Sequence, residues 1–466
     1  HGVLTLRRLM KHTGKEQTMR EAYGLGHPDR MVIQAFLGRQ GMRADDIDME
    51  AGIRRFKEEM HHGLNGTGSS LAMIPTYLSP VESIAPNEPV IAIDAGGTNL
   101  RVALVRFDSQ GNPKIDGYQG TAMPGTGSRV DRDTFFGQIV ELLEPIAHRS
   151  CRIGFCFSYP TEILPSRDGR LIRFCKEVQA DGIEGTLVGE GLLDAMRARG
   201  LWNGHRVALL NDTAATLLGG RAGTSGRRFD DGIGFILGTG TNTCYAERSA
   251  LIEKLEGAPD WCERMLVNVE SGAYAGFAQG GLDRLFDAGT VNPGQYVFEK
   301  MISGGYQGGL FLTILKAACR EDLFPEPAAH ALLSLDALVS ADIDAFLARP
   351  FGDNPLARSC GAETDAGAAT ARRRIFHLAD DLFERAARLV TVNLGAVVAM
   401  TGRGTNPCLP VLVSAEGSTF HKSMLFRPAL DFHVRTLLRE RMGLHLAFTR
   451  TDNATLLGTA IAGLSL

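Results

Sequence analysis

The chain has 466 residues, 44% hydrophobic and 22% charged, a balance typical of a globular protein with room for two or three domains. Its net charge of −4 argues against the basic surface that a nucleic acid or an anionic membrane attracts. No uninterrupted apolar run reaches the roughly 20 residues that a membrane span needs, and the eight cysteines include no Cys-x-x-Cys pair, so they read as reduced thiols.

Residues 1–63 are charged and helical in pattern. Arg7, Arg8 and Lys11 interrupt any apolar leader, and a cytoplasmic location is expected. Residues 64–70, Leu-Asn-Gly-Thr-Gly-Ser-Ser, predict a linker or hinge. Strand-like runs follow at 89–94 and 99–107. An amphipathic helix is expected over 134–146, capped by Asp131 or Asp133, and then strands at 152–157 and 206–210. A second set has strands at 233–237, 410–415 and 444–449, with helices at 296–320, 371–400 and 452–466. Residues 222–230 and 350–370 read as surface loops. Strands alternating with helices indicate α/β layers.

One strand–turn occurs twice. Residues 91–99 read Ile-Ala-Ile-Asp-Ala-Gly-Gly-Thr-Asn, and 234–242 read Gly-Phe-Ile-Leu-Gly-Thr-Gly-Thr-Asn. Glycine lacks a Cβ, so such turns bring backbone N–H groups and Thr hydroxyls close to a phosphate. Two copies point to two related half-structures facing one nucleotide. In the first turn Asp94 can hold Mg²⁺ through water, Gly96, Gly97, Thr98 and Asn99 can hold phosphate, and Arg101 can neutralise charge. Gly238, Thr239 and Gly240 form the second. Between them, Asn211-Asp212-Thr213 ends an apolar strand. It reads either as a helix cap or as a general base for an attacking hydroxyl, and its place between two phosphate turns favours the base. Ser158, Lys176, Asn242, Glu270 and Glu299 are each ordinary surface or capping residues when taken singly. Converging, they would suit a polyol, which needs paired acceptors and donors.

With these residues in order, the chain resembles the hexokinase family over about 60–466. The resemblance rests on Ile93-Asp-Ala-Gly-Gly-Thr-Asn-Leu-Arg-Val, Phe155-Cys-Phe-Ser-Tyr-Pro, Leu210-Asn-Asp-Thr, Leu237-Gly-Thr-Gly-Thr-Asn-Thr-Cys-Tyr, Asn268-Val-Glu, and Asn292-Pro-Gly through Phe298-Glu-Lys-Met-Ile-Ser-Gly304. It implies an α/β fold with two actin-like, ribonuclease-H-like lobes and a cleft between them. The small lobe would be 71–212, completed by 452–466, and the large lobe 1–63 with 213–451. The resemblance further implies ATP-dependent phosphorylation of the 6-hydroxyl of a hexose, glucose foremost, with Mg²⁺ carried on ATP. Asp212 would be the base, assisted by Lys176. Ser158, Asn211, Asn242, Glu270 and Glu299 would contact sugar, and Ser418 would lie near the nucleotide. Against the family's pattern, Cys175 and Tyr296 stand in for a Thr and a Gln at the sugar rim, and Glu416 for an Asp beside the nucleotide. A non-catalytic sugar sensor on the same fold is the competing expectation. The residues leave the oligomeric state open.

Overall fold

The computed structural model describes residues 27–466 apart from 81–83, 175–177, 223, 225–226, 256–262, 363 and 366. Its strands are β1 Ile74–Pro75, β2 Val90–Ala95, β3 Asn99–Phe107, β4 Pro113–Ala122, β5 Arg152–Phe157, β6 Thr161–Ile163, β7 Gly169–Leu171, β8 Arg206–Leu210, β9 Gly232–Leu237, β10 Thr241–Arg248, β11 Arg264–Asn268, β12 Val411–Glu416 and β13 Leu446–Thr449. They form two main sheets, ordered β4-β3-β2-β5-β8 and β1-β11-β10-β9-β12-β13. In each, an antiparallel meander, β2 to β4 or β9 to β11, continues into two parallel strands, β5 and β8 or β12 and β13. The duplicated strand–turn is thus part of a duplicated topology.

Two helices exchange sheets. The Asp212–Ala222 helix leaves β8 and lies on β9 and β12. The Ala454–Leu464 helix leaves β13 and lies on β5. They cross at bare backbone: a Cβ on Gly219 would stand 1.9 Å from the Ala454 carbonyl oxygen, and one on Gly458 would stand 1.8 Å from that of Ala215. Any side chain there would force the helices, and with them the sheets, apart. Ala214, Leu218, Leu456 and Ala460 fill the apolar core around the crossing.

Three expectations change. β1 pairs with β11, so residues 74–75 belong to the six-stranded sheet rather than to a small lobe beginning at 71. The 64–70 stretch is a turn tied into that lobe: Ser69 and Ser70 bind Glu59, and Leu71 and Met73 are buried in the same core. The first passage between sheets therefore follows Leu78. The 350–370 stretch contains a helix, Pro355–Ser359, because Leu356 and Cys360 are buried and the Asn354 side chain caps the Ala357 amide. Of the 1–63 stretch, residues 1–26 lie outside the described residues; the rest forms helices Pro28–Arg39 and Met49–Leu64, which pack on the long Ala368–Thr401 helix.

Candidate active site

The two glycine turns end β2 and β9 and start β3 and β10. Each spans three residues, 96–98 and 238–240. In the second, the Gly238 carbonyl accepts from the Gly304 amide at 2.8 Å and the Thr419 hydroxyl at 3.1 Å, while that of Thr239 accepts from the Gly305 amide at 3.0 Å. With these carbonyls engaged behind it, the turn presents Thr239, which is exposed. The grip explains why the expected 296–320 helix is two, Val297–Ile302 and Gly304–Arg320. Ser303 is extended, with ψ at 155°, and frees the next amides to reach the turn.

Asp94 is the penultimate residue of β2, buried, with Arg101 Nη1 3.4 Å from its Oδ2. Burial pushes its carboxyl up to about 6; Arg101 opposes the shift, and the charge of Asp212 adds to it. The fold therefore favours protonated Asp94. Between about pH 4 and 6 the folded protein retains a proton that the unfolded chain has released, so this contribution to stability is lost as pH rises and is flat above. Two units correspond to about 3 kcal/mol. Denaturation from pH 4 to 7 is expected to show Asp94→Asn gaining on wild type across that window. A pH-independent difference would remove Asp94 as the cause.

Asp212 opens its helix, where the dipole favours a carboxylate. Asn211 is the cap, its Oδ1 accepting the Ala214 amide at 2.9 Å. The capping reading of this motif thus falls on Asn211, while the Asp212 carboxylate accepts from the Thr213 hydroxyl at 3.2 Å at the helix start. The charge of Asp212 is felt by Asp94 in one sheet and by Glu270 in the other.

Beyond β11, Glu270 adopts a left-handed conformation, φ 56°, a strain of order 1–3 kcal/mol found mostly at functional sites. Its Oε1 accepts from Asn242 at 2.8 Å and Asn268 at 2.5 Å. Burial pushes its carboxyl up, and these two amides pull against that. Glu299 accepts the Thr241 amide at 2.8 Å, and a Cβ on Gly240 would stand 2.6 Å from its Oε2. Only glycine lets the carboxylate approach the turn so closely. Asn242, Glu270 and Glu299 thus share one wall. Ser158 follows β5 with its amide bound to the Ala95 carbonyl at 3.1 Å, beside the first turn. Ser418 is exposed at the start of a short helix after Gly417, which lies against Leu237 and Gly238 of the second. Lys176 and Cys175 lie outside the described residues.

Among the described residues no three His, Cys, Asp or Glu side chains gather as a direct metal cage. Asp94 and Asp212, two carboxylates that raise each other's cost of ionisation, instead fit a cation held mainly by another ligand.

Two family models described as Hexokinase match residues 38–222 and 232–465. The chain belongs to the hexokinase family. It is 29% identical over 453 residues to Hexokinase-2 of Rattus norvegicus, covering 90% of this chain and 47% of that protein. To Hexokinase-1 of Mus musculus it is 30% identical over 440 residues, covering 86% and 43%. The chain spans about half the length of the curated relatives it matches. A solved hexokinase from Schistosoma mansoni, complexed with glucose, superposes with a TM-score of 0.71 at 23% identity, over 94% of this chain and all of that one. The fold is accordingly the two-lobed, actin-like one.

Three features of this hexokinase-family site escaped the sequence reading. The Tyr159 hydroxyl bonds the carbonyls of Gly96 and Gly97 at 3.2 and 3.1 Å and braces the first turn. Asn268 buttresses Glu270. Arg173 meets the Tyr296 hydroxyl at 3.4 Å, joining the lobe of the five-stranded sheet to that of the six-stranded one. Tyr159 and Asn268 lie inside the quoted motifs, and position there was their only signal.

Proposed function

We propose that the protein phosphorylates the 6-hydroxyl of a hexose, glucose foremost, with ATP. The observation that carries this is Asp212, a carboxylate at a helix start whose charge reaches Asp94 beside one glycine turn and Glu270 in the polar wall beyond the other. Asn211, Asn242, Glu270 and Glu299, with Ser158 and Lys176, bind the sugar. Asp212 takes the proton from the 6-hydroxyl as its oxygen attacks the γ-phosphorus, and the bridging P–O bond to the β-phosphate breaks to release ADP. The turns at 96–99 and 238–240, with Arg101 and Ser418, position the phosphates and nucleotide. Asp94 and Asp212 would hold Mg²⁺ through water, and the bound ion supplies charge neutralisation on the phosphate oxygens.

We further propose that the two sheets, with the helices on them, close on the sugar. Water resembles a sugar hydroxyl chemically, so an open site would hydrolyse ATP; closure linked to sugar avoids this. A cytoplasmic site of action belongs to the same reading. Its supports are six described cysteines that are all free and, among the described residues, no helix long and apolar enough to cross a membrane.

ADP formation across a panel of hexoses with Mg-ATP tests the proposal. Sugar-dependent ADP release is expected, with glucose among the substrates; sugar binding without ADP release would refute it. Thr239→Val, which keeps volume and removes a hydroxyl, is expected to raise the KM for ATP or lower kcat with little change in sugar affinity. Lost glucose binding with normal ATP kinetics would contradict the phosphate assignment.

A further inference from the structure

Glu299 and Lys300 are consecutive residues of the Val297–Ile302 helix, and each is anchored to a different part of the lobe. Glu299 reaches the second glycine turn. Lys300 is 2% exposed and forms an ion pair with Asp287 at the end of the Gly281–Ala288 helix. Its ammonium also donates to the Asn292 carbonyl at 2.7 Å. The other Asp287 oxygen accepts the Gly294 amide at 2.8 Å. The pair therefore grips the 289–296 loop at two points. Away from these contacts the loop is largely exposed: Val291 is wholly so, and a Cβ on Gly294 would meet nothing within 4 Å. The loop ends at Tyr296, which is left-handed at φ 53° and starts the helix carrying Glu299.

A helix of six residues is too short to hold its own geometry. Its roll about its axis is set by what its side chains grip, and so is the aim of Glu299. We propose that Asp287 and Lys300 are a positioning pair for sugar recognition, fixing the loop and helix so that Glu299 and Tyr296 face the cleft. This rests on the reading of Glu299 as a sugar ligand. Neither Asp287 nor Lys300 touches sugar; they act through their neighbours. Removing one partner alone would strand a buried charge, whereas replacing both by apolar groups can leave stability nearly unchanged.

The test is therefore the paired variant Asp287→Leu/Lys300→Met, with melting temperature and the KM values for glucose and ATP measured together. A folded protein is expected whose glucose KM rises about tenfold or more, as misplacement of a positioned group by about 1 Å commonly produces, while its ATP KM stays within about twofold. A folded variant with both KM values unchanged, or with both raised alike, would overturn the proposal. If the paired variant does not fold, Asp287→Asn/Lys300→Gln serves instead. It removes both charges together and leaves an acceptor for the Gly294 amide and a donor for the Asn292 carbonyl, and the same selective rise in glucose KM is expected, with the same two results overturning it. Lys300→Arg, which keeps the ion pair, is expected to hold glucose KM within about threefold of wild type, and a selective rise as large as the paired variant's would overturn the charge-pair account. Glu299→Gln is the control. If it binds glucose normally, the sugar-site reading fails and takes the positioning pair with it. If it loses glucose while the paired variant does not, the positioning pair alone fails.

Discussion

Replacing Asp212 by alanine is expected to lower turnover by about 10²–10⁴ while leaving sugar binding largely intact, the scale of a lost general base. Asp212 starts a helix rather than sitting mid-strand, and its neighbour Asn211 takes the capping role. The Ala214 amide is therefore satisfied without it. The substitution to alanine favours helix formation and leaves the crossing of the two exchanged helices untouched. Loss of rate can then be read as loss of chemistry rather than of fold. Calorimetric glucose titration paired with initial rates separates the two quantities. Near-normal turnover in Asp212→Ala would eliminate it as the base. Loss of glucose binding in step with rate would make it a sugar ligand instead.

The second large effect is expected at the glutamates. Glu270→Gln and Glu299→Gln should each weaken glucose binding tenfold to a hundredfold, since a hydrogen bond to a charged acceptor is worth about 1.5–3 kcal/mol. The two differ in how they are held. Glu270 is half-buried and strained, and its Oε1 accepts two asparagine amides, so a neutral glutamine there weakens two charge-assisted hydrogen bonds at once. Glu299 accepts a backbone amide, which a glutamine oxygen can still do. The larger loss is therefore expected at Glu270. Normal glucose affinity in both variants would remove them from the sugar site. At the rim, Tyr296 meets Arg173 where the family carries a glutamine. Mannose, glucosamine or fructose are accordingly expected to compete with glucose better than the family pattern implies. A preference for glucose by several orders of magnitude in wild type would contradict that looseness.

The central strands were legible because they are buried on both faces. Asn99–Phe107, Arg152–Phe157 and Arg206–Leu210 lie where their apolar runs end, at Asp108, Ser158 and Asn211. The Asp212–Ala222 helix was not legible. Thr213 through Gly220 are all buried, so no polar stripe marks a helical period. β10 and β11 were missed for a related reason: Thr241, Asn242, Thr243, Glu247 and Asn268 are polar residues that the fold satisfies internally. The break at Ser303 and the two added glycine contacts follow from a partner some 60 residues earlier in the chain, which no local pattern reports. The glycine turns and Asp212 stood out in the sequence because glycine and a strand-end carboxylate are uncommon together. Tyr159, Asn268 and the Asp287–Lys300 pair bind the first turn, Glu270 and the 289–296 loop from the side, and only the assembled fold shows which side they are on.

Transfer of phosphate to a bound sugar is the defining step, and phosphorus NMR of the protein with glucose and Mg-ATP observes that transfer directly. The expected result is a growing phosphomonoester resonance of glucose 6-phosphate matched by ADP, with little ATP lost when glucose is omitted or replaced by 6-deoxyglucose. Unchanged ATP in a sample where calorimetry shows glucose bound would contradict it, and would make this chain a sugar-binding protein on a kinase fold.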